Sequence, residues 1–104
     1  MLNKILNRKL GYRNVAVYIP FVLETLPDQF DSHEFIAAFV FQHQRAYIRI
    51  LGMAGWDDDQ PFQTINDAIV HWLGESDLVQ QVGTRESENM FKQVRPAAVW
   101  RKVA

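Results

Sequence analysis

At 104 residues, 48% of them hydrophobic and 12% aromatic, the chain has the size and apolar content of one domain with its own core, spanning residues 1–104. It contains no cysteine, which excludes a disulfide framework and a thiolate metal centre and fits a reducing compartment. The net charge of −1 conceals a sorting: residues 1–13 carry Lys4, Arg8, Lys9 and Arg13 and no acid, residues 14–83 set ten acids against Arg45 and Arg49, and the last stretch turns basic again.

Leu2, Ile5, Leu6 and Leu10 recur at helical spacing and Gly11 follows, so residues 1–11 are expected to form a short amphipathic helix. The alternation of charge and apolar residues there does not match a secretory leader. The longest uncharged apolar-rich run, Val15 to Leu23, contains Pro20 and falls well short of the roughly 20 residues a bilayer span needs. A soluble, cytoplasmic chain with no membrane partner is the expectation. Residues 14–26 admit two readings. Val15 to Ile19 suits a strand by β-branching, while Pro20 suits the first position of a helix that Pro27 would end, and the second half is read as helix.

Phe30 to Leu51 carries the densest signals. Asp31 can cap a helix with Glu34 reaching back from three residues on, a capping box, and Phe30 and Phe35 have the spacing of a hydrophobic staple. Phe35, Ile36, Phe39, Val40, His43, Ala46, Tyr47, Ile50 and Leu51 then fall on one stripe, so a single helix is expected up to Gly52. A polar turn, Trp56 to Gln60, leads to Pro61 at the first position of another helix. That helix buries Phe62, Ile65, Ala68, Ile69, Trp72 and Leu73 and stops at Gly74. Leu78 to Val82 reads as a strand, Thr84 to Pro96 as a long polar loop, and Ala97 to Val103 as a second strand with Val99 and Trp100 on opposite faces. Trp100 is expected to face Trp72.

Helix, turn, helix and a long-tipped hairpin resemble the winged helix-turn-helix superfamily. The resemblance rests on the capped start Phe30-Asp31-Ser32-His33-Glu34-Phe35-Ile36, on Ile65 to Leu73 as the third helix, and on residues 78–103 as the wing. It implies an α+β, mainly helical fold, with a three- or four-helix core and a carboxy-terminal β-hairpin wing. In DNA-binding members the third helix reads the major groove. By that resemblance, Gln63 and Asn66 would approach bases, and Arg85, Lys92 and Arg95 on the wing, with Lys4, Arg8, Lys9 and Arg13 on the amino-terminal arm, would lie along phosphates. Two features depart from the pattern. The second helix is long, and residues 61–74 hold no Lys or Arg but do hold Asp67. An acidic third helix repels a phosphate backbone. The alternative is a protein-interaction module docking a partner chain or a second copy through that helix or through Met90 and Phe91.

Nothing in the chain resembles a catalytic constellation, and no enzyme activity, cofactor or metal is expected. His43 on the apolar stripe reads as a core histidine bonded to a carbonyl, and His33 as solvated. His71 and Glu75 make too small a set for a metal. Asp57-Asp58-Asp59 lacks the rest of a calcium loop and reads as a turn capping the next helix.

Overall fold

The structure is a computed structural model, and it describes residues 15–54 and 58–103. The expected helix over residues 1–11, the arm bases Lys4, Arg8, Lys9 and Arg13, and Trp56 lie outside the described residues. Along the chain run helix α1 (Ile19–Glu24), strand β1 (Gln29–Asp31), helices α2 (Ser32–Gln42), α3 (Gln44–Gly52) and α4 (Pro61–Gly74), and strands β2 (Val79–Glu88) and β3 (Val94–Lys102). The fold is α+β, with a three-stranded antiparallel sheet ordered β1-β3-β2 packed on the helices. Among the described residues no helix is long and apolar enough to cross a membrane.

Residues 19–24 are helical, with Pro20 in the first turn and Ile19, Val22 and Leu23 buried, which settles the open stretch in favour of helix over its second half. The capping box is formed: the Glu34 amide donates to Asp31 Oδ1 (2.9 Å), and the Asp31 amide donates to Glu34 Oε1 (2.8 Å). Phe30 and Phe35 stack with ring centroids 6.2 Å apart, so the staple is formed too. Phe30, Phe35 and Phe39 are fully buried, each worth about 1.5–3 kcal/mol relative to exposure.

Three features differ from the sequence reading. The stretch expected as one helix is two, broken at His43 (φ −131°, ψ 58°). A straight helix over the whole stretch would extend about 30 Å. The break instead turns α3 back over the core, burying Ala46, Tyr47 and Ile50 and bringing the Tyr47 hydroxyl to Asn66 on α4 (2.8 Å). His43 sits at the break against the Tyr18 ring (4.4 Å between centroids), and its buried Nε2 has no hydrogen-bond partner, so the expected carbonyl bond is absent there. The second difference is β1, which the sequence reading lacked. Its three residues pair with Val99, Trp100 and Arg101 of β3, and Asp31, extended as an N-cap residue must be, ends the strand and starts the helix.

The third difference is the hairpin. The polar stretch 84–96 is mostly ladder rather than loop: pairing runs from Val79↔Lys102 to Glu88↔Val94, with a bulge between Gln81 and Gly83. Its outer half has no covered face, so side-chain alternation vanishes while backbone pairing continues. Only residues 89–93 form the tip. There Asn89 Oδ1 accepts from the Phe91 and Gln93 amides, and Lys92 takes a positive φ of 67°.

Trp100 and Val99 do lie on opposite faces of β3. Trp100 enters the helical core, its Nε1 donating to Ser32 Oγ (2.8 Å), and its ring passes so close to Gly74 that a Cβ there would lie 3.2 Å from it. On the other face Arg85 pairs in register with Ala97, and Asp31 with Val99. The Arg85 side chain therefore crosses β3 over Ala97 and Val99 to reach Asp31, Nε to Oδ2 at 2.9 Å, while its Nη2 donates to Glu34 Oε1 at 2.9 Å.

Burial pushes the Asp31 carboxyl upward, but the Glu34 amide, the Arg85 guanidinium and the Ser87 hydroxyl outweigh it and hold it below its ordinary value of 3.8. A depressed carboxyl contributes stability that is complete above that ordinary value and is lost as pH falls through the folded one. Denaturation midpoints followed downward through about pH 4 to pH 2 should fall more steeply for the wild type than for Asp31→Asn, which keeps a capping oxygen but no titrating group.

Candidate functional site

The bulged, twisted hairpin carries its tip across the face of α4. Met90 folds back onto the core, and Asn66 Nδ2 donates to its sulfur (3.7 Å) while Asn66 Oδ1 accepts from Tyr47. Phe91 is half exposed and meets Phe62 edge-on, with centroids 5.4 Å apart. Between the tip, the amino-terminal half of α4 and the start of α2 lies a cleft of about 700 Å³, the size of a small-ligand or anchor-residue pocket. Ile36, Val70, Met90, Ala97 and Ala98 give it an apolar floor, and the Phe62–Phe91 pair forms part of its rim.

Its polar lining is lopsided. Asp59 and Asp67 face one cation, Arg95. Asp67 has no hydrogen-bond or ion-pair partner among the described residues, and burial alone pushes its carboxyl above the ordinary value. An acid placed this way is stabilised by any cation brought to it. Asp58 makes a turn, its Oδ1 accepting from the Gln60 amide, but α4 has no side-chain cap, so the expected capping role of the aspartates is not met by the described residues.

The structure gathers five of the residues singled out from sequence, Gln63, Asn66, Met90, Phe91 and Arg95, into this one cleft. It separates the others. Arg85 is occupied by Asp31 and Glu34 and does not line the cleft. Lys92 is exposed at the tip, 4.0 Å from Glu88. Within the cleft, Asn66 is already bonded to Tyr47 and Met90. His33 is not merely solvated: its Nδ1 lies 2.6 Å from Ser87 Oγ, linking α2 to β2 beside the cleft. Sequence reasoning missed Ile36, Val70 and Asp67 as neighbours of the tip. No local pattern brings residues of α2, α4 and the hairpin together, although the unusual Met90-Phe91 pair in a polar stretch was a signal.

No group of three or more metal-ligating side chains occurs among the described residues. Comparison with family models, with curated proteins and with solved structures gives no match for this chain.

The Phe62–Phe91 contact is what joins the rim of the cleft. A double-mutant cycle with Phe62→Ala and Phe91→Ala, read by chemical denaturation, should give a coupling at the low end of about 0.5–1.5 kcal/mol, because both rings are partly solvated.

Proposed function

We propose that this chain is a protein-interaction module of the winged helix-turn-helix type, which docks a segment of mixed basic and apolar character in the cleft between α4 and the hairpin. The order helix, β1, helices, hairpin, with β1 zipped onto β3, supports the superfamily reading. The observation that carries the interaction reading is the charge of the cleft face. α4 presents Asp67 and no Lys or Arg, and the hairpin's Arg85 is spent on Asp31 and Glu34. A phosphate backbone would meet acids at the helix that should receive it, and a buried or paired cation cannot release counterions. An apolar floor beside an acid without a partner instead suits an aliphatic or aromatic anchor followed by Lys or Arg.

Nucleic acid is the second reading, and Arg95 favours it. Arg95 is exposed, lines the cleft beside Gln63 and, among the described residues, has no carboxylate partner, while Lys92 stands nearby on the tip. In that reading the wing carries the contact and α4 contributes little.

Fluorescence polarisation separates the two. At about 50 mM salt a labelled DNA duplex should show no binding, whereas labelled peptides pairing Leu or Ile with Lys or Arg should bind and lose about tenfold in affinity on Asp67→Lys. Duplex binding that falls steeply with salt and is lost on Arg95→Ala would replace the interaction reading with the nucleic-acid one.

A further inference from the structure

The cleft asks for a segment with three properties: apolar side chains for its floor, a cation for Asp67, and no acid to meet Asp59 or Asp67. The chain itself supplies such a segment. Residues 1–13 carry four bases and no acid, interleaved with Leu2, Ile5, Leu6 and Leu10. Residues 92–104 match it in charge, with Lys92, Arg95, Arg101 and Lys102 and no acid, but residues 94–102 are already built into the sheet as β3.

We infer that the occupant of the cleft is the amino-terminal segment, residues 1–13, of a second copy of this chain, and that the protein assembles with itself by reciprocal exchange of these segments. The inference rests on the interaction reading of the cleft and names its partner. An apolar side chain of the segment covers Val70 and Met90, and a neighbouring Lys or Arg reaches Asp67. Each copy gives one segment and receives one, so the contact is made twice and closes as a two-fold dimer. The attraction between a segment bearing only bases and a cleft face bearing mostly acids is largely electrostatic, so it weakens as salt rises. The sorting of charge along the sequence then has a physical role: the basic start of one molecule matches the acidic middle of another.

The test uses the full chain in sedimentation or light scattering over a range of concentrations. The wild type should pass from monomer to dimer as concentration rises, and added salt should shift the transition upward. Full-length R8E/K9E and full-length Asp67→Lys should each stay monomeric. Mixed, they should dimerise again, because the reversed segment of one meets the reversed cleft of the other while the remaining two surfaces are still wild type. A wild type that is monomeric throughout, or a mixture that does not associate, overturns the inference. The two failures are distinguishable. If the wild type stays monomeric but its cleft still takes up labelled basic-apolar peptides with loss on Asp67→Lys, self-assembly falls and the interaction module stands. If the cleft takes up none, both fall.

Discussion

The constraint on which the rest of this structure depends is the carboxylate of Asp31. It is buried, 1% exposed, and serves three elements at once. One oxygen caps α2 through the Glu34 amide, the other receives the Arg85 guanidinium from β2, and its backbone ends the short strand that ties the helical body to β3. A buried charge is tolerable only when it is paired and hydrogen-bonded, and these partners meet that condition. Removing any one of them leaves the carboxylate short of what burial demands.

From this junction follows the position of the hairpin. Arg85 reaches across β3, so the two outer strands are held in register against the start of α2, and Ser87 adds a contact to His33 two residues further on. Trp100 anchors the opposite face through Ser32. With both faces of the hairpin fixed at its base, the tip lands on α4, where Met90 packs on the core and Phe91 meets Phe62. The cleft exists because the tip is delivered there. The same junction pairs Arg85 with Asp31 and Glu34, while the polarity of the cleft comes from Asp59, Asp67 and Arg95.

The parts of the fold that were legible in the sequence are those fixed by local chemistry. The capping box of Asp31 and Glu34, the Phe30–Phe35 staple, the Pro61 start of α4 and its buried stripe depend on residues within one or two turns. What was not legible depends on distant partners. β1 is too short for any period to show, and its last residue carries the signal of a helix cap. The break at His43 leaves apolar spacing intact on both sides, so periodicity runs through it unchanged. The outer hairpin pairs through backbone with both faces solvated, and so looked like loop. At the site, Met90 and Phe91 stood out because apolar residues in a charged stretch need a surface to rest on. Arg85 looked like a free wing cation because Asp31 lies more than fifty residues away in sequence.

The central claim, that Asp31 and Arg85 act as one unit joining helix to hairpin, is tested most directly by comparing the stabilities of Asp31→Asn, Arg85→Gln and the double variant. If the two groups form one unit, the losses do not add: once Asp31 is neutral, replacing Arg85 costs little more, and the double variant lies close to Asp31→Asn alone. Fully additive losses would mean that the guanidinium and the carboxylate stabilise the fold independently, and the account of how the hairpin is held would be wrong.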